Sequence, residues 1–209
     1  LSKFLYIIMK VKIKKKEEAK EYNVVDSWSE VKLEDWVKVI AAEEKVTSQA
    51  ALENIEALSD IPEKLIKELS IENIAIILSH LSNVKDNADN SLKKIIKIDG
   101  IQYGFHPELS DLTLGEYADL ETFLKNGIHD NLPEIMAILY RPITEKKNDV
   151  YTIEAYDGKI SIRAEIMKKM NAEQVQGAMV FFWTFVKTFL EILPSSLKDL
   201  ATLKMKGVM

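Results

Sequence analysis

The chain contains no cysteine. That removes disulfides, thiolate nucleophiles and thiolate metal ligands, and it suits synthesis in a reducing compartment. Seven glycines and five prolines are few for 209 residues, so long helices are favoured over a chain of tight turns. Three histidines, His80, His106 and His129, are scattered, without the short spacing that zinc sites use. Neither a glycine-rich phosphate loop nor a nucleophile motif is present. The longest apolar run, near 177–186, falls short of a bilayer span, and Lys187 and Glu191 interrupt its continuation. A net charge of −5 argues against a chain-wide grip on nucleic acid. The reading is therefore no enzyme, no cofactor, no metal, no membrane contact, and neither nucleic acid nor a small molecule as partner.

What is there begins with an apolar fraction of 47%, enough for a substantial core in one domain. The expected organisation has three parts: an N-terminal strand or arm over 1–16, a single helix-rich domain over 17–193 with a hinge or loop near 83–91, and a tail over 194–209. The chain opens on Leu1 and its first methionine is Met9, either of which reads as the start. The apolar stretch 4–9 is shorter than the core of a secretory signal, so no export signal is expected.

Met9, Val11 and Ile13 alternate with Lys10, Lys12 and Lys14, the period of a half-buried edge strand whose lysines discourage edge pairing. Residues 32–84 read as short helices. Leu33, Trp36, Val37 and Ile40 recur at helical spacing, Thr47 is placed to cap a second helix, Pro62 opens a third and Ser70 caps a fourth. The polar stretch 83–91 follows. Asp99-Gly100 between two apolar runs is a hairpin signal for 94–105, and the N-terminal strand could join its sheet. Thr113 and Glu116 form a capping box for a helix from about 114 to 126. Pro133 opens another, which should end near Arg141-Pro142 because the residue before proline leaves helical geometry.

The last third offers two readings: a second hairpin about Asp157-Gly158, or a helix capped by Ser161 and running through Met170. Asn171 and Gln174 make an amide capping box for the most apolar helix, 172–193. Val175, Met179, Phe182, Val186 and Phe189 line one side of it, with Phe181, Trp183 and Phe185 on others. Such a helix should be central or lie at a subunit interface. A short tail helix is expected after Pro194. The fold class that results is mainly α with a small β component, α+β, with a β-hairpin and an N-terminal edge strand.

The candidate chemistry is thin. Glu116 and Asp119 share a helical face, whereas Glu121 points elsewhere, and acids in a first turn ordinarily serve the helix dipole. Arg141 closes an apolar helix, so its guanidinium could pair with Glu116 or Asp119 and tie two helices together. The rival reading is a small enzyme or ligand-binding domain with an acidic-Arg site at Glu116, Asp119 and Arg141. Phe181, Phe182, Trp183 and Phe185 read as core or interaction residues before they read as a base-stacking platform.

The order of several motifs resembles a poorly characterised group of virion or tail-morphogenesis proteins of tailed bacteriophages, the crAss-like phages and their relatives among them. The elements that carry the resemblance are Ser27-Trp28 with Leu33 and Trp36, Ser70-Ile71-Glu72, the run DLTLGEYADLE over 111–121, ILYRP over 138–142, and Gly177-Ala178 with Phe181-Phe182. They are packing and capping signatures, and no functional site transfers with them. The resemblance implies a non-enzymatic structural or assembly protein, such as a connector, tail component or tail-assembly factor. Its partners would be other phage virion or tail proteins, in an oligomer, within the host cytoplasm during assembly or in the virion.

Overall fold

The computed structural model describes residues 9–15, 18–43 and 47–192. The fold is α+β, and the chain divides into two compact units, Leu1–Ala88 and Asp89–Met209. The division falls inside the polar stretch where a hinge or loop was expected.

In the first unit, strand β1 (Met9–Lys15) pairs antiparallel with β2 (Glu18–Val24), Met9 facing Val24 and Lys15 facing Glu18. The alternation of the N-terminal strand is therefore real, but its partner is β2 and not the 94–105 hairpin. Four helices follow: α1 (Leu33–Glu43), α2 (Ser48–Ala57), α3 (Glu63–Ile66) and α4 (Ile71–Asp86). Thr47 and Ser70 cap α2 and α4 through their hydroxyls, which accept from Ala50 N and Asn73 N. The segment after α2 folds back on β2, where Val25 N donates to Leu58 O at 3.0 Å and Asp60 N to Asn23 O at 3.1 Å. Trp28, Leu33, Ile55, Leu58, Ile61 and Ile77 fill the core between these elements. His80 on α4 holds the loop after β2, its Nε2 lying 3.0 Å from Val25 O and 2.9 Å from Asp26 Oδ1.

The second unit is built on an antiparallel sheet in the order β3 (Ile95–Ile98), β4 (Ile101–Phe105), β5 (Tyr140–Lys147), β6 (Val150–Ile153). The expected turn is in place, with Asp99 at φ 49° and Gly100 at φ 85°, the left-handed pair that a type I′ hairpin requires. The second hairpin lies elsewhere than proposed. It joins β5 to β6 through Asn148, whose φ is 55°, while Asp157-Gly158 leads into a helix, α7 (Ile160–Met167). There the Asp157 carboxylate accepts from Lys159 N at 3.0 Å and from Arg163 Nη1 at 2.6 Å, so this Asp-Gly pair starts a helix and not a strand return. The cap position of α7 is Lys159 in place of Ser161.

Helix α5 (Leu114–Lys125) begins at the expected capping box, and α8 (Ala172–Ile192) begins at the amide version, Gln174 N donating to Asn171 Oδ1 at 2.9 Å and Asn171 N to Gln174 Oε1 at 3.1 Å. Of the two places expected for α8, the centre of the fold or a subunit interface, the first needs correction. Helix α6 (Leu132–Leu139) holds that place: Leu132, Ile135, Met136, Ala137, Ile138 and Leu139 are all buried, as expected of a helix whose one charged residue is Glu134 in its first turn. By contrast α8 buries Val175, Ala178, Met179 and Phe182 and exposes Val180 and Phe181. The proposed tail helix lies outside the described residues, and so does the side chain of Phe185.

Candidate functional site

The second unit gathers charge around the start of α5. Thr113 is its N-cap, and the reciprocal bonds of the capping box draw Glu116 back over the first turn: Thr113 N and Oγ1 donate to Glu116 Oε2 at 2.7 and 2.6 Å. Those bonds hold the carboxylate in place and leave Oε1 facing the sheet. Arg141 meets it there, with Nη1 2.6 Å from Oε1. Only 1% of Glu116 and 4% of Arg141 is exposed, so two opposite charges are buried against each other.

The position of Arg141 corrects one expectation. Helix α6 stops at Leu139 and the chain passes directly into β5, so Arg141 and Pro142 are strand residues opposite Gly104 and Tyr103. The tie therefore joins a central strand to α5 and not two helices. Asp119 does not touch Arg141. It accepts a hydrogen bond from the Tyr156 hydroxyl, and the Tyr156 ring lies beneath the guanidinium, 5.8 Å from its carbon. Glu121 lies on another face and pairs with Lys125 at 3.0 Å.

The neighbour that the sequence did not announce is His106, which follows β4 and places Nε2 3.7 Å from Glu116 Oε1. Burial lowers its pKa below the ordinary histidine value, Glu116 opposes that shift and Arg141 adds to it. For Glu116, burial alone would raise the pKa, but the two Thr113 hydrogen bonds and the guanidinium outweigh it and the carboxyl lies below its usual range. Tyr156 is held above the ordinary phenol value by burial and by its bond to Asp119. At neutral pH the cluster is thus an ionised Glu–Arg pair beside a neutral imidazole. Arg141 Nε has no hydrogen-bond partner among the described residues, and the close Nη1–Oε1 approach is not aligned as a hydrogen bond.

Strand alternation could have placed Arg141 on the sheet had 140–147 been read as a strand. No comparable signal existed for Tyr156, which lies in the loop before α7. The aromatic candidates separate. Phe182 is buried, Phe181 is 44% exposed and stands edge-on to Phe105 at 5.6 Å, and Trp183 packs edge-on against Phe182 at 5.5 Å. Among the described residues no group of three or more acidic or histidine side chains is arranged to hold a metal ion, and no helix is long and apolar enough to cross a membrane.

No family model matches the chain, and the comparisons with curated proteins and with solved structures gave no significant match.

Proposed function

We propose that the chain works by contact and without turnover, as a structural or assembly protein of a tailed bacteriophage, either a connector or tail component or a factor that assists tail assembly. The observation that carries the contact reading is the outer face of α8, where Val180 and Phe181 are 49% and 44% exposed on a helix whose opposite side is core. Large apolar side chains beside a packed aromatic cluster are suited to anchor an interface, since aromatics supply much of the binding energy at such surfaces. The Glu116–Arg141 pair supports the same reading from the other side, because its charges are turned inward on each other. The phage context rests on the resemblance carried by the order of the five motifs from Ser27-Trp28 to Phe181-Phe182. The host cytoplasm during assembly, or the particle, is the expected location, and other virion or tail proteins are the expected partners.

The test is to purify the protein, size it alone, and compare Phe181→Asp. Self-association that the aspartate abolishes, or co-sedimentation with particles or tail intermediates that it abolishes, supports the proposal. A monomer absent from both, turning over a small substrate, overturns it.

A further inference from the structure

Helix α4 carries two apolar stripes. Ile77, Leu81 and Val84 are buried and face the core of the first unit. Ile71, Ile74, Ala75 and Leu78 recur at i, i+3, i+4 and i+7, the spacing of a second face. That face is open: Ile71 is 89% exposed, Ala75 is exposed, and Ile74 and Leu78 are half-buried. Leu78 also lines a cleft of about 160 Å³ between α4, α2 and α1, whose other apolar walls are Trp28, Val39, Leu58 and Leu81. Ser82 and Lys85 border the cleft and are exposed, so it opens on the same flank of α4 as the stripe. An apolar surface therefore runs along α4 from Ile71 and ends in the cleft.

A stripe of this spacing beside an apolar cleft suits a helix laid in a groove. A cavity of roughly 150 Å³ accommodates a benzene ring, so the cleft holds one leucine or phenylalanine side chain. Charge selects among the helices that could bring one. Helices α1 to α4 carry eight acidic residues against three lysines, and on α4 itself Glu72 and Asp86 stand exposed against the single Lys85. Such a surface attracts a basic partner and rejects an acidic one. We propose that this groove binds a basic amphipathic helix of a partner protein, its apolar side along Ile71, Ala75 and Leu78, with one apolar side chain in the cleft. The groove belongs to the first unit, and the inference does not rest on the contact reading of α8.

The probes are two fluorescein-labelled amphipathic helices, one of leucine and lysine and one of leucine and glutamate, titrated into the full-length protein. The leucine–lysine helix should bind saturably and shift the amide resonances of α4 between Ile71 and Ser82, while the leucine–glutamate helix binds at least about ten-fold more weakly. Ala75→Arg places a long charged side chain in the middle of the stripe, on an exposed helical site where arginine is well tolerated. It should weaken binding by about ten-fold or more, as expected at the centre of an interface. Gln49→Arg adds the same charge at an exposed position of α2 outside the stripe and should leave binding nearly unchanged. Equal weakening by the two variants would mean charge attraction alone and overturns the proposal, as do resonance shifts that avoid α4. A fall in the mass of the protein in solution on Ala75→Arg would put a second copy of the chain on the stripe, and that also overturns it.

Discussion

Replacing Arg141 by methionine keeps an unbranched stem of similar length but removes the charge that faces Glu116. The carboxylate would keep its two bonds from Thr113 to Oε2, while Oε1, 1% exposed with the rest of the residue, would lose the cation 2.6 Å away. Breaking one side of a buried ion pair costs roughly 3–5 kcal/mol, mostly the penalty on the charge left behind. Glu116→Gln alone strands the guanidinium and should cost a similar amount. The glutamine can still complete the capping box, so the double variant Glu116→Gln/Arg141→Met carries neither an orphaned charge nor a lost cap. It should recover about 2 kcal/mol relative to the sum of the singles, within the range of measured couplings between touching residues. Hydrogen exchange at the His106 amide, which donates to Leu139 O at 2.7 Å beside the pair, reads the stability of the second unit under graded urea. Strictly additive losses, or singles that cost nothing, would refute the idea that the two charges hold strand β5 to α5.

The same cluster fixes a pH response. Both His106 and Glu116 titrate at lower pH in the folded protein than their ordinary values of 6.5 and 4.5, so the unfolded chain takes up each proton first and stability falls as pH falls. The histidine contribution is fully present above pH 6.5 and is lost on acidification from that value down to its folded pKa; the Glu116 contribution is lost below 4.5. Thermal melts of His106→Gln should flatten the slope that sets in below pH 6.5 and leave the steeper acid limb below 4.5, whereas a slope as steep as wild type would exclude His106 as its source. Gly104 faces Arg141 across the ladder, and a Cβ there would collide with the Tyr151 ring, whose hydroxyl donates to Phe105 O at 2.7 Å. Gly104→Ala should therefore destabilise by about 1–3 kcal/mol, the usual cost of overpacking, with Tyr151→Leu relieving the clash; equal melting of Gly104→Ala and wild type would contradict the packing.

Capping and turn chemistry were the legible part of this sequence, because they act over three or four residues. Thr113 with Glu116, Asn171 with Gln174 and Asp99 with Gly100 each carry a local physical instruction, and each is obeyed. Asp157-Gly158 shows where that legibility stops. The same dipeptide serves a hairpin or a helix start, and what decided between them was Arg163, six residues on, closing over Asp157. At 138–142 the proline gave the helix end to within two residues, but not the strand that follows at once. Proline is rare in a central strand, yet Pro142 sits there and still accepts from Glu154 N at 2.9 Å. The candidate site was half visible for the same reason: Glu116 and Arg141 stood out as a charge in a first turn and a charge after an apolar run. His106 and Tyr156 join them only through tertiary packing, which no spacing along the chain encodes. The partner of β1 was misjudged because an alternating strand specifies which face is buried and not which strand lies beside it.

The central claim, that the chain acts through its surface, is tested most directly by the mass of the native protein in solution. Light scattering behind size exclusion, on the wild type and on Phe181→Asp over a range of concentrations, should give a wild-type mass that is a multiple of 23.9 kDa and a variant that falls to the monomer while still folded by circular dichroism, though less stable for the loss of its ring contact with Phe105. A wild type that remains monomeric at every concentration and also fails to sediment with particles or tail intermediates would contradict the account.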